Sequence, residues 1–388
     1  MKKETTGYTN ENSKGFSRKD FFKKAKRVVL KFGTNIITKK GTPDQDNISH
    51  LVNEVIKLIK SGKEVIIVTS GAIGCGADAI LPQGITPSTI PLKQACASIG
   101  QPILMSYYNK YFEKYGYLVG QILLTDDILD RVKAYSNARN TFLTLIEKKC
   151  VPIVNENDSI SIDEIKFGDN DKLAAVVSLI AGADICVLLS DIEGFYINYA
   201  DEKNRTKLDI VNEITNEIKL QAGGKKSSYS TGGMATKIKA AEMLMNAGVS
   251  MAIINGTKRG TISNLFEGEN EGTVFFAGKK TLSGVRRWLS HQAKPAGKVF
   301  VDEGAYTALK EKGKSLLASG ISLVEKEFEG GSVIEVIFND KVFAKGISWY
   351  SSSDLKKIMK KNSKEIEKIL GNKDYDEVIH RDNLLILD

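Results

Sequence analysis

Cysteine and histidine are scarce in this sequence, and their scarcity narrows the chemistry before any motif is read. The 388 residues hold three histidines and four cysteines. His50, His291 and His380 lie far apart in the chain, which argues against a histidine-built metal cluster and against a Ser-His-Asp or Cys-His catalytic set. Cys75, Cys96, Cys150 and Cys186 show no CxxC spacing. Neither a disulfide framework nor a zinc site is expected, and a reducing, cytoplasmic setting is. Cys186 falls inside the apolar run Ile185–Leu189 and reads as a buried structural thiol. No apolar run approaches the roughly 18 residues of a spanning helix, so no membrane association is expected. An excess of one charge is missing too, except at one end. Of the net +8, residues 1–27 supply +6, with 9 Lys/Arg against 3 Asp/Glu, while residues 28–280 hold 28 of each sign. A balanced middle fits a small-molecule enzyme better than a duplex binder.

What is present is the composition of an ordinary folded protein, 42% hydrophobic and 26% charged, long enough for two domains. Residues 1–26 are polar and Lys-rich, lack the apolar core of a secretory signal, and read as a flexible basic extension. From residue 27 short apolar runs alternate with helical periodicity. Strands are expected at Val28–Phe32, Val65–Thr69, Leu118–Leu124, Val151–Asn155, Ile185–Ser190 and Val249–Ile254. Helices are expected at Ile48–Lys60, Leu92–Tyr115, Ala134–Lys149, Lys172–Ile180 and Met234–Asn246. That alternation predicts an α/β fold with a mostly parallel sheet covered on both faces. Ligands in such sheets gather beyond the carboxyl ends of the strands. The rhythm changes after about residue 281. We divide the chain into the extension 1–26, the α/β domain 27–284, a linker 285–296 and a small domain 297–388, with a Lys-rich helix over Asp354–Leu370.

Five segments carry polar chemistry, four of them at the ends of strands. Lys31-Phe32-Gly33-Thr34 can aim an ammonium at an anion, or be a surface lysine before a turn. Thr69-Ser70-Gly71-Ala72 is a strand–Gly–helix turn of the kind that binds anions, although Gly-rich turns also serve packing alone. It is not a GxxxxGK[ST] phosphate loop. Asn155-Glu156-Asn157-Asp158, with Glu164 and Asp169-Asn170-Asp171, concentrates carboxylates and amides, which suits an amino-acid ligand and also a solvated Asx-rich loop. Ser190-Asp191, at the end of another strand, reads as a contact to nucleotide and metal or as a plain turn. Thr231-Gly232-Gly233-Met234-Ala235-Thr236-Lys237 combines a helix cap at Thr231, free backbone and a lysine, a recurring way to cradle phosphates. Two lysines on separate loops, with an acidic loop between them, point to phosphoryl transfer.

These segments, in this order, resemble the motif series of the glutamate 5-kinase family of the amino-acid kinase superfamily. Val301-Asp302-Glu303-Gly304-Ala305 and His380-Arg381-Asp382 resemble the PUA domain that many members carry. The resemblance implies a three-layer sandwich with a mostly parallel sheet plus a small, mainly β PUA domain. It implies ATP-dependent phosphorylation of the γ-carboxylate of L-glutamate, the first step toward proline, with Mg²⁺ held mainly by the ATP phosphates and no metal ligands assigned to the chain. By motif match, Lys31 and Lys237 neutralise the transferring group and Asp171 orients them. Ser70, Asp158 and Asn170 hold glutamate, with Asn155 and Asp169 as neighbours. Lys31, Ser190, Asp191 and Thr231, Gly232, Gly233, Met234, Ala235, Thr236 and Lys237 hold ATP. Ser190 stands where the family usually has Thr, and keeps the hydroxyl. Further implications are feedback inhibition by proline, a homodimer or homotetramer, and a downstream glutamyl-phosphate reductase. A superfamily member acting on acetylglutamate, aspartate, carbamate or UMP is the rival enzyme. RNA binding by the PUA domain is a different class of reading. Lys356, Lys357, Lys360, Lys361, Lys364 and Lys368 favour it, while Glu365, Glu367 and the domain's small net charge weigh against it.

Overall fold

The computed structural model describes residues 17–39, 42–125, 128, 132–160, 170–199, 204–222, 233–278, 295–371 and 375–387. They group into two compact units: Met1–Asp126 with Thr141–Thr281, and Asp127–Asn140 with Leu282–Asp388.

In the first unit the apolar runs form strands β1 (Arg27–Phe32), β2 (Glu64–Val68), β3 (Val119–Leu124), β4 (Val151–Glu156), β5 (Ile185–Ser190), β6 (Ile210–Val211), β7 (Ser250–Asn255) and β8 (Thr273–Phe275). They join in one eight-stranded sheet of order β6-β8-β7-β5-β1-β2-β4-β3. Every neighbouring pair is parallel except β7 with β8. Helices α1 (Arg18–Lys24), α2 (Gln45–Lys60), α3 (Ala72–Ile80), α4 (Ile90–Glu113), α5 (Val132–Glu147, of which residues 132–140 count with the second unit), α6 (Asn170–Ala181), α7 (Met234–Asn246) and α8 (Thr261–Glu267) alternate with the strands along the chain.

The continuous apolar strands follow from burial on both faces. Val28, Leu30 and Phe32 of β1, with Val187 and Leu189 of β5, share a core with Leu51 and Val55 of α2 and Leu104 and Tyr108 of α4. Val29, Ile66, Cys186 and Leu188 alternate with them and are also fully buried. On that side α6 packs against β1 and β5, and α7 against β7. Cys186 is therefore the structural thiol expected, its pKa pushed up to about 12 by burial.

Two elements differ from the sequence reading. Residues 18–24, taken as part of a flexible extension, form α1, and Phe22 is fully buried. The aromatic pair Phe21-Phe22 explains it: Phe21 packs edge-on to Phe276 and Phe22 to Phe266, at 5.6 and 5.3 Å between ring centres. The Arg18 guanidinium ties the helix down by donating to the carbonyls of Asp209 (2.6 Å) and Glu271 (3.0 Å).

The second difference lies in the other unit. Its sheet has the order β10-β9-β11-β12-β13, built from β9 (Gly297–Val301), β10 (Ile321–Glu325), β11 (Val333–Phe338), β12 (Lys341–Ile347) and β13 (Leu384–Ile386). The single Lys-rich helix expected over Asp354–Leu370 is two short ones, α10 (Ser352–Ile358) and α11 (Ile366–Leu370), after α9 (Glu303–Lys310). Between them the chain leaves helical geometry, with Lys360 at φ 64°. The six lysines therefore form no single helical stripe. Of the linker 285–296, only residues 295 and 296 lie within the described set.

Candidate active site

Because the central strands are parallel, their carboxyl ends lie on one edge of the sheet, and the polar segments collect there. Lys31 sits at the end of β1, in register with Val68 of β2 and Leu188 of β5. Asn155 ends β4, and Ser190 ends β5 opposite Asn255 of β7.

At the centre is a fully buried carboxylate. Asp171, in the first turn of α6, receives Lys31 Nζ on Oδ1 at 2.7 Å and Lys237 Nζ on Oδ2 at 2.9 Å. Thr236 Oγ1 donates to the same Oδ2 at 3.1 Å. Burial alone pushes the Asp171 carboxyl up, but the two ammoniums outweigh it and hold its pKa below the ordinary value. Two cations against one anion leave a positive surplus in a nearly dry site. Such a surplus attracts a polyanion and favours charge that develops on it.

The Thr236–Lys237 pair rides on α7. The helix starts at Met234 with Gly233 in the capping position, and no side chain caps it. The helix cap expected at Thr231 is therefore not the one used. A cap must stand directly before the first helical residue, and Gly233 does. Thr231, Gly232 and Asp169, like Glu164, lie outside the described residues. On β5, Ser190 Oγ donates to Asp191 Oδ1 at 3.1 Å, and Asn35 Nδ2 reaches Asp191 Oδ2 at 3.4 Å.

Amide side chains gather near the ends of β2 and β4. Ser70 follows β2 at a turn where Gly71 takes φ 93°, the left-handed region that favours glycine. Asn170 opens α6, and its Nδ2 donates to the Thr69 carbonyl and to Asn155 Oδ1 (2.9 Å). Asp158 sits in the turn after β4, where burial pushes its pKa up to about 6. A carboxylate held that way gains from a cationic partner. Sequence reading missed Gln101, which accepts from Asn155 Nδ2 at 2.8 Å, and Tyr108, whose hydroxyl meets Thr69 Oγ1 at 2.8 Å. Both lie inside α4, where a polar residue on a helix face gives no local signal of a partner on another strand.

The model of the Amino acid kinase family matches residues 26–255, and that of the PUA domain matches residues 297–370. The chain belongs to the amino acid kinase family. It is 43% identical to the glutamate 5-kinase of Syntrophotalea carbinolica, over 95% of this chain and 99% of that protein. It is 42% identical to the glutamate 5-kinase of Thermoanaerobacter sp., over 93% of this chain and 98% of that one. Among solved structures, a carbamate kinase from Giardia lamblia bound to AMP-PNP is 17% identical, with a TM-score of 0.48, and covers 66% of this chain and 99% of that chain.

Proposed function

We propose that the protein transfers the γ-phosphoryl group of ATP to the γ-carboxylate of L-glutamate, giving L-glutamyl 5-phosphate and ADP. The observation that carries this reading is Asp171 bridging Lys31 and Lys237, beside an amide-rich acceptor side at the same sheet edge. The names of the relatives agree with it.

The attacking group needs no base, because a carboxylate is already ionised at pH 7. What the transfer needs is alignment and charge neutralisation. Asp171 supplies alignment by fixing two ammoniums with its two oxygens. Those ammoniums then face charge that shifts toward the leaving and attacking oxygens. The Gly233 backbone and Thr236 hydroxyl at the head of α7, with Ser190 and Asp191, frame the nucleotide. Ser70, Asp158 and Asn170 hold the amino-acid head of the acceptor. Among the described residues no group of three or more His, Cys, Asp or Glu side chains could hold a metal ion. The lysine-rich cradle fits a nucleotide that brings its magnesium on its own phosphates, where the ion neutralises part of the phosphate charge. Proline shares the α-amino-acid head of glutamate, and in this reading it competes at Asp158 and Asn170.

An acyl phosphate is trapped by hydroxylamine as a hydroxamate. With L-glutamate and MgATP the protein should give a glutamate-dependent hydroxamate in step with ADP. ADP without hydroxamate would mean that the acceptor is not a carboxylate.

A further inference from the structure

Resting on the acceptor-side reading just given, we propose that Gln101 is a positioning residue for the acceptor. It acts through Asn155 on Asn170. The three side chains form an amide chain, each at least nine-tenths buried, and Gln101 Nε2 extends it by donating to Gln121 Oε1 at 3.4 Å. Gln101 Oε1 accepts from Asn155 Nδ2 at 2.8 Å, and Asn155 Oδ1 accepts from Asn170 Nδ2 at 2.9 Å.

Backbone groups fix which atom is which. Asn155 Oδ1 also accepts from the Glu156 N–H at 3.0 Å, and only an oxygen can do so. Asn170 Nδ2 also donates to the Thr69 carbonyl, which only a nitrogen can do. Asn170 thus uses its nitrogen twice inside the protein. Its Oδ1 has no partner among the described residues, so the valence it offers is an acceptor. A free acceptor oxygen suits the α-ammonium of an amino acid rather than its carboxylate. Gln101 supplies the acceptor for Asn155 and is itself held by its donation to Gln121. Without it, a donor of Asn155 loses its partner in a dry site, and the side chain must move to find another.

The fold places Gln101 with little slack. The residue before it, Gly100, packs so tightly on α3 that an added Cβ would stand 1.8 Å from the Ala72 carbonyl oxygen. The α4 backbone is thereby pressed against the helix that follows Ser70, and Gln101 is delivered to Asn155.

The test is Gln101→Met, of similar length and without the acceptor, in the full chain. The KM for L-glutamate should rise at least tenfold, with the KM for MgATP and kcat within about threefold of wild type. Gln101→Glu keeps an acceptor oxygen at the same length and should hold the glutamate KM within about threefold. In an Asn155→Ala background, Gln101→Met should add less than twofold, because its effect passes through Asn155. An unchanged glutamate KM in Gln101→Met, an equal rise in both KM values, or a fully additive double variant would each overturn the proposal. Should Gln101→Met not fold, a tenfold glutamate KM increase in a folded Gln101→Glu would overturn it as well. If the wild type turns over another acceptor instead, the functional reading fails separately, and the same comparison is made on the KM of that acceptor.

Discussion

Lys237 and Asp158 carry the two sharpest expectations at the scale of single residues. Lys237 Nζ is held by Asp171 Oδ2 at 2.9 Å, and in the proposed function it meets the transferring phosphoryl group. Lys237→Ala should lower kcat on the order of 10²–10³-fold, the usual effect of losing one charged contact made in the transition state. Steady-state kinetics at saturating MgATP and glutamate measure it. Asp158 gives a pH dependence. With its carboxyl pushed up to about 6, it is ionised at pH 7 and becomes protonated as the pH falls through 6. Affinity for an acceptor bearing an ammonium should therefore drop below pH 6 and level off above it. A plot of log kcat/KM for glutamate against pH checks this, and Asp158→Asn should remove that inflection. At this scale much was legible from the sequence. Lys31 and Asn155 are the penultimate residues of their strands, Ser70 lies just beyond one, and Asn170, Asp171 and Lys237 lie at the openings of helices, where polar residues stand out against apolar runs. Gln101 did not stand out. Its significance depends on a partner 54 positions away, and no local pattern encodes that distance.

Among the elements, the pairing of α3 with α4 matters most for the site. Gly76 and Gly100 let the two backbones touch: a Cβ at Gly76 would lie 1.8 Å from the Cys96 carbonyl oxygen. Gly100→Ala should therefore destabilise the fold by about 1–3 kcal/mol or more, since backbone must move to relieve the overlap. Urea unfolding with an unchanged m value would show it. The same variant should raise the glutamate KM, because the shift carries Gln101 with it. In the sequence these glycines read only as parts of a Gly-rich turn and of a helix. The strands were the most legible elements, because burial on both faces leaves unbroken apolar runs. Helix α1 was obscured by its setting. Arg18, Lys19, Lys23 and Lys24 surround Phe21 and Phe22, and the charge masks an anchor that becomes plain only when Phe266 and Phe276 come near. The break between α10 and α11 was hidden for the opposite reason. Lysine is a good helix former, and no proline or glycine marks the turn at Lys360.

For the whole molecule, two compact units account for the change of rhythm along the sequence, and the charge is apportioned unevenly. Residues 1–27 hold +6 of the +8, while residues 28–280, which include Lys31, Asp171 and Lys237, hold 28 charges of each sign. The positive surplus that the account needs is thus local, made by two lysines around one aspartate, and not a property of the chain as a whole. Net charge could not have revealed it, and the spacing of Lys31, Asp171 and Lys237 did so only through the motifs. Transfer to free glutamate by this cluster is tested by acceptor specificity. ADP release from MgATP should be followed with L-glutamate, N-acetylglutamate, L-aspartate, carbamate and UMP in parallel. The account predicts turnover with L-glutamate alone, suppressed by added proline. Turnover with N-acetylglutamate, carbamate or UMP and none with L-glutamate would contradict it.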